Sequence, residues 1–349
     1  MLDSLIQQLA SARPLTEAQI QEAVEALVSE ALPAAVKADF LSALARKGET
    51  VEEISAFARA LQAKAVVPPL SDELRRREIL DVCGAGGDRL GTFNISTTVA
   101  IVCAAAGVAV AKHGNRAITS KTGSADVLEA LGIPIDLPPA EAVRALAEHN
   151  FAFFFAPFYH PAFKQLAQGR KICAERGQLT IFNFLGPLLN PARPSAQLVG
   201  VYRPQLCEPI AAVLQAVGVR RGMVVCGKVP TGGVFSHLDE FSTLGENTVA
   251  EFYQPRGFTS STLDPRQFPL QPVTVEDLRG GDREVNAEII RRILRGEERG
   301  AKRDAVLLNA GAALFVAGTV RSMAEGWELA AAVIDDGRAQ GKLNELAAR

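Results

Sequence analysis

Across 349 residues the chain carries 37 Lys and Arg against 39 Asp and Glu, a net charge of −2, and 48% of it is apolar. That is enough for one large core and a smaller one, and the balance leaves no electrostatic footprint for nucleic acid or an anionic membrane. No apolar run reaches the roughly 18 residues of a spanning helix, Met1-Leu2-Asp3-Ser4-Leu5-Ile6 has no secretion-signal pattern, and the five cysteines (Cys83, Cys103, Cys173, Cys207, Cys226) stand singly, so the expectation is a cytoplasmic α/β protein with reduced thiols.

Residues 1 to about 65 read as helices. Thr16 is placed to cap one helix, with Ile20, Ala23, Leu27 and Leu32 at roughly helical spacing. Phe40, Leu41, Leu44 and Ala45 mark a second helix that ends at Lys47-Gly48. Thr50-x-x-Glu53 is a capping box for a third, Val51 to about Ala63. The run Val66 to Asp72, with its Pro68-Pro69 pair, breaks the pattern. The expected division is a helical domain over 1–72 and an α/β domain over 73–349, with helices near 161–195 packing back onto the first.

From Ile79 onward strands and helices alternate. Short apolar runs at Ile79–Cys83, Gly107–Ala111, Phe151–Ala156, Gln197–Tyr202 and Gly222–Cys226 read as strands. Helical patterns follow the first two, from about Ser96 to Ala106 and from Ala125 to Leu131. That alternation predicts a mainly parallel central sheet with helices on both faces. Ligands then sit beyond the carboxyl ends of the strands. After Val229 the pattern is looser, with Pro230-Thr231-Gly232-Gly233 and Gln254-Pro255-Arg256-Gly257 as loops, and from Leu307 the chain reads as Ala-rich helix to its end.

Four polar clusters follow predicted strands or occupy the loops between elements. The first turns through Gly84, Gly86 and Gly87 to Asp88 and closes on Asn94, Ser96 and Thr97. Strand, glycine turn and helix N-terminus aim backbone N–H groups at one point, which favours phosphate. It is no Walker loop, lacking Gly-Lys-Ser/Thr, and Arg89 takes the third glycine position of a dinucleotide fingerprint. The second cluster is Lys112-His113-Gly114-Asn115-Arg116 with Lys121 and Ser124, where two cations and a helix start suit another anionic group. The third is Asp239-Glu240, hard oxygen ligands suited to Mg²⁺ bridging to phosphates. The fourth is His160 in Tyr159-His160-Pro161; taken alone, it reads as a structural hydrogen-bonding group.

Together these clusters resemble the anthranilate phosphoribosyltransferase family, of nucleoside phosphorylase-like (type III) fold. The resemblance rests on D-V-C-G-A-G-G-D with F-N-I-S-T, K-H-G-N-R, S-K-T-G-S-A-D-V-L-E-A-L-G, F-A-P-F-Y-H-P-A-F-K, T-I-F-N-F-L-G-P-L-L-N-P, L-D-E and L-N-A-G-A-A-L-F-V-A-G, and spans nearly the whole chain. It implies Mg²⁺-dependent transfer of the phosphoribosyl group from phosphoribosyl diphosphate (PRPP) to anthranilate, releasing diphosphate, in tryptophan biosynthesis and as a homodimer. It implies PRPP contacts at Gly84, Gly86, Gly87, Asp88, Asn94, Ser96, Thr97, Lys112, Gly114 and Ser124, metal contacts at Ser96, Asp239 and Glu240, and acceptor contacts at His113, Asn115, His160 and Arg170. No single catalytic acid or base is implied, since departure of diphosphate calls for positioning and charge stabilisation.

The chain departs from the family pattern in several places. Ala85 replaces a threonine in the glycine turn, Val229–Val234 is inserted before the acidic pair, and Cys226 replaces a common histidine. The family's acceptor-binding arginine falls on Cys173 when counted back from Gly177 and on Arg170 when counted forward from Lys164. A paralogue with another aromatic acceptor is therefore a rival reading. A nucleic-acid-binding relative is a weaker one, since it predicts a basic surface and eroded PRPP motifs. The segment Val333 to Gly341 is similar to the acidic signature of type I phosphoribosyltransferases but continues a helical apolar face, so it reads as the solvated end of a helix.

Overall fold

The computed structural model describes residues 2–117, 121–231 and 234–348. Helices α1 (Leu2–Ala10), α2 (Glu17–Leu27), α3 (Ala34–Lys47) and α4 (Val51–Gln62) form an N-terminal bundle. Its caps are those expected. Thr16 with Gln19, and Thr50 with Glu53, make reciprocal capping boxes, each satisfying two donors that a helix start leaves unpaired. Glu53 also reaches beyond its own helix. Its buried carboxylate accepts from the Leu15 N–H and from Lys47 Nζ, tying the start of α2 to the end of α3.

The chain continues through α5 (Asp72–Arg76), β1 (Ile79–Gly84), α6 (Ile95–Ala105), β2 (Ala109–Gly114), α7 (Ser124–Ala130), α8 (Pro139–His149), β3 (Phe151–Phe155), α9 (Ala156–Tyr159), α10 (Ala167–Glu175), β4 (Ala196–Gly200) and α11 (Cys207–Ala216). There follow β5 (Arg221–Thr231), β6 (Val234–Leu238), β7 (Asn247–Phe252), β8 (Thr259–Leu263), α12 (Arg283–Leu294), α13 (Ala301–Val316), α14 (Met323–Asp335) and α15 (Arg338–Ala347).

The sheet runs β3-β2-β1-β4-β5-β7-β8, with β6 paired to β5. The first five strands are mutually parallel, as the alternation of strand and helix predicts. β6, β7 and β8 are antiparallel additions in the stretch read as loose. That stretch hid its strands for physical reasons. β8 is Thr-Ser-Ser-Thr-Leu and largely exposed, so it carries no apolar alternation to detect. β5 runs on to Thr231, past the expected end at Cys226, and Pro230-Thr231 belong to it; residues 232–233 lie outside the described residues.

One face of the sheet is covered by α6, α13 and α14, whose core includes Val99, Val102, Leu308, Leu314 and Trp327. The other face is shared by α11 and the N-terminal bundle: Ile210 and Leu214 belong to the same core as Phe57 and Leu61 of α4. α10 lies on α3, where the Arg176–Asp39 pair and a hydrogen bond from Lys37 Nζ to the Gln165 carbonyl join them. Val333 to Gly341 is a helix junction: α14 stops at Asp335, Gly337 turns at φ 83°, and Asp335 and Asp336 pair with Arg303 and Arg338. β1 and β4 are neighbours, yet the chain leaves them in opposite directions across the sheet. Such a switch point opens a crevice at the carboxyl ends of the strands.

Candidate active site

The crevice is built on three missing side chains. Gly84, Gly200 and Gly227 lie in the neighbouring strands β1, β4 and β5, and Gly84 is in register with Gly200. A Cβ on Gly84 would lie 2.2 Å from Asp239 Oδ2, one on Gly200 would lie 1.5 Å from the Asp239 carbonyl oxygen, and one on Gly227 would lie 2.6 Å from that of Glu240. Only glycine at these positions lets the segment after β6 lie across the edge of the sheet. Gly200 and Gly227 were missed from sequence, and their signal was available as glycines at the carboxyl side of apolar runs.

Beyond Gly84 the turn passes through Gly86 (φ 80°), Gly87 (φ 96°) and Arg89 (φ 59°). The Gly86 N–H donates to Asp239 Oδ2 at 2.6 Å, so turn and acidic pair hold each other. Asp239 and Glu240 are both buried. Burial first, then the nearby Asp88 and Glu240, push Asp239 well above the usual carboxylate range. Burial pushes Glu240 up to about 7, against the pull of Lys112 and Ser96. Like charges held in a dry site call for a cation. Among the described residues, no group of three or more His, Cys, Asp or Glu is placed to hold a metal ion unaided. Two carboxylates beside the Ser96 hydroxyl fit a Mg²⁺ whose remaining ligands come from substrate and water.

Lys112 is buried at the end of β2, its Nζ donating to the Val82 carbonyl at 2.7 Å and to Ser96 Oγ at 3.4 Å. Asp81, missed from sequence, lies beneath it. This wholly buried carboxylate accepts from Asn190 Nδ2 at 2.8 Å and from the His113 N–H, and burial raises it to about 6 although Lys112 opposes the shift. At the start of α6, Asn94 takes the N-cap position without capping. Its amide donates to the Thr122 carbonyl and its oxygen accepts from Asn286. The Ser96 N–H turns to the Glu240 carboxylate, which leaves the first-turn N–H of Thr97 for an incoming anion.

Ser124 opens α7 and donates to the Asn115 carbonyl, and Gly114 is required beside it, since a Cβ there would lie 2.1 Å from Ser124 Oγ. Asn115 turns its side-chain oxygen to the Arg116 N–H. One expectation fails here. Arg116, read with Lys112 as a second cation, pairs with Asp126 and Glu129 of α7 and so leaves Lys112 as the buried cation of this cluster.

On the β2–β3 side a line of rings leads away from Lys112. His113 and His160 are 5.2 Å apart between centroids, His160 and Phe163 are 5.1 Å apart, and Phe163 and Phe182 are 5.8 Å apart. The Arg170 guanidinium lies 5.1 Å over Phe182 at the far end. Burial lowers His113 to about 3 and His160 to about 4, so both rings are neutral at physiological pH. Their Nε2 atoms are buried and have no hydrogen-bond partner among the described residues. Burial also lowers the pKa of Arg170, and no carboxylate pairs with it among the described residues. Cys173 faces elsewhere: its Sγ contacts the Ala38 carbonyl at 3.5 Å and Ser42 Oγ at 3.7 Å, inside the α3–α10 contact. Of the two candidate positions, only Arg170 joins the line of rings.

A helical bundle docked on an α/β sheet, with an anion cradle at the switch point, is the architecture of a two-part glycosyl transferase. The profile described as "Glycosyl transferase family, a/b domain" matches residues 76–340, and "Glycosyl transferase family, helical bundle domain" matches residues 3–65. An anthranilate phosphoribosyltransferase from Petrotoga mobilis is 45% identical over 346 residues, covering 99% of this chain and 96% of that protein. The crystal structure of anthranilate phosphoribosyltransferase from Thermus thermophilus aligns with a TM-score of 0.87 at 40% identity, covering 98% of both chains. The enzyme from Saccharomyces cerevisiae, in complex with PRPP and Mg, aligns with a TM-score of 0.86 at 26% identity, covering 99% of this chain and 97% of that one. The chain belongs to the anthranilate phosphoribosyltransferase family.

Proposed function

We propose that the chain transfers the phosphoribosyl group of PRPP to anthranilate with Mg²⁺, giving N-(5-phosphoribosyl)anthranilate and diphosphate, in tryptophan biosynthesis. The observation that carries the choice of acceptor is the unpaired Arg170 guanidinium at the end of the aromatic line from His113. An aromatic ring packs along such a line, and an arginine takes a carboxylate in two parallel hydrogen bonds.

The glycine turn from Gly84 to Asp88, Ser96, the Thr97 amide, Asn94, Gly114, Ser124 and Lys112 hold the PRPP phosphates in this reading. Asp239, Glu240 and Ser96 hold Mg²⁺, which when bound offsets the charge of the departing diphosphate. His113, Asn115, His160 and Arg170 hold the acceptor. The anomeric C–O bond breaks, a C–N bond to the amine forms, and the nitrogen then releases one proton. The amine is already neutral, and two uncharged imidazoles keep the pocket from repelling developing positive charge on ribose. Their unpaired Nε2 atoms are acceptors for the amine hydrogens. Fixing amine and anomeric carbon in line is then the larger share of the catalysis.

A homodimer in the cytoplasm belongs to the same proposal. No helix among the described residues is long and apolar enough to cross a membrane. Val66, Val67 and Phe158 offer exposed apolar surface on adjacent segments joined by the Val66–Tyr159 hydrogen bond. The test is incubation of the purified chain with PRPP, Mg²⁺ and anthranilate, following loss of anthranilate fluorescence and release of diphosphate. Turnover that stops on chelation of the metal is expected, and no diphosphate above background would reject the reading.

A further inference from the structure

A cavity of about 390 Å³ opens between the α3–α4 junction, residues 177–180 and the segment after β4. Its size is that of a small-molecule site. None of its lining residues carries a role in the phosphate, metal or acceptor sites described above.

Its chemistry is divided. Glu49 contributes a carboxylate whose Oε1 is buried with no hydrogen-bond partner among the described residues. Lys47, two residues back, is bound to Glu53 and does not supply that partner. A buried acceptor without a donor is costly, so the oxygen calls for an N–H from outside the chain. Arg203 stands at the exposed end, its guanidinium 5.6 Å over the Tyr202 ring and in no ion pair among the described residues. Leu179, Phe184 and Leu206 supply apolar wall, and Leu179 is 41% exposed. One carboxylate lacking a donor, one guanidinium lacking an anion and an apolar wall describe the complement of a zwitterion with an apolar body.

We propose that this cavity binds a free α-amino acid with an apolar side chain, its ammonium on Glu49, its carboxylate on Arg203 and its side chain against Leu179, Phe184 and Leu206. The Tyr202 ring lies about 3.5 Å from where a Gly87 Cβ would stand, so an occupant touches the back of the glycine turn through one ring. The site stands independently of the transfer reaction proposed above.

The test is isothermal titration calorimetry of the full chain with L-phenylalanine and L-leucine, beside N-acetyl-L-phenylalanine, which lacks the ammonium, and L-phenylalaninamide, which lacks the carboxylate. A free amino acid is expected to bind. Each blocked form, and each of the variants Glu49→Gln and Arg203→Gln, is expected to bind at least about tenfold more weakly, the loss of one charge-assisted contact. PRPP titrations of both variants are expected to match the parent, which shows that they remain folded. Binding is expected to persist with anthranilate saturating, since none of His113, Asn115, His160 and Arg170 lines the cavity. Absence of heat at about 10 mM of either amino acid, near the weak limit of a specific site, overturns the proposal. So does equal binding by either variant, or displacement by anthranilate.

Discussion

Arg170 and Cys173 lie three positions apart on α10, and their surroundings divide their work. The cysteine is spent on the α3 backbone, whereas the arginine has an aromatic face beneath it and no carboxylate paired with it among the described residues. A charge-assisted hydrogen-bonded pair contributes about 1.5–3 kcal/mol. Arg170→Gln is therefore expected to raise the KM for anthranilate by about 10- to 100-fold and leave the KM for PRPP unchanged. Cys173→Ala should alter neither constant. Steady-state kinetics with each substrate varied in turn checks both, and a raised PRPP KM in the arginine variant would put the guanidinium on the wrong side of the site. The glycine turn, Lys112 and the acidic pair were legible in sequence because each is a contiguous motif with its own local geometry. Asp81, Asn190, Asn286 and Asn309 were not. Asn286 meets Asn94 from 192 positions away, and Asn309 clamps the Phe241 backbone, next to Glu240, from 68. Nothing in the local pattern of an asparagine tells which distant backbone it will hold.

The acidic pair reaches the phosphate cradle because three neighbouring strands carry glycine where it crosses them, at the ends of β1 and β4 and within β5. β1, β4 and β5 deliver Gly84, Gly200 and Gly227 to one edge, and the segment after β6 settles into the space they leave. Gly200 is the most constrained, since its Cβ would overlap the Asp239 carbonyl oxygen at 1.5 Å, a backbone atom that cannot rotate away. Gly200→Ala should therefore displace Asp239 and Glu240 by an ångström or more while leaving β4 paired. A misplacement of about 1 Å costs of order 100-fold in rate. The expected result is kcat down about 100-fold and a raised Mg²⁺ requirement, with an unchanged far-ultraviolet dichroism spectrum. Activity near that of the parent would show that the pair does not need this seat. The elements that place the pair were half legible. Parallel strands announce themselves as buried apolar runs, but β6 to β8 lie where partners and solvent, not local apolar periodicity, set the strand.

At the scale of the whole chain, bundle and sheet are joined by a common core. Phe57 and Leu61 of α4 pack in one cluster with Val199 of β4, Ile210 and Leu214 of α11 and Phe252 of β7. Leu166 and Cys173, from the segment around α10, close the same cluster from the α3 side. Residues 3–65 match a profile of their own, yet their apolar faces are covered by residues more than a hundred positions downstream. Deleting that cover exposes several large side chains, each worth about 1.5–3 kcal/mol when fully buried, against a net stability of only about 5–15 kcal/mol for a whole domain. The bundle alone cannot meet that loss. The expected outcome is that a fragment of residues 1–65 shows no cooperative melting. In the full chain, guanidinium unfolding followed by far-ultraviolet dichroism should coincide with that followed by fluorescence of Trp327, the lone tryptophan, which sits in the core on the opposite face of the sheet. Two separated transitions, or a cooperatively melting fragment, would mean that the shared core does not couple the two bodies. Coincident transitions would mean instead that the Arg170 end of the site, carried by α10 on α3, is held in place by the same packing that holds the sheet.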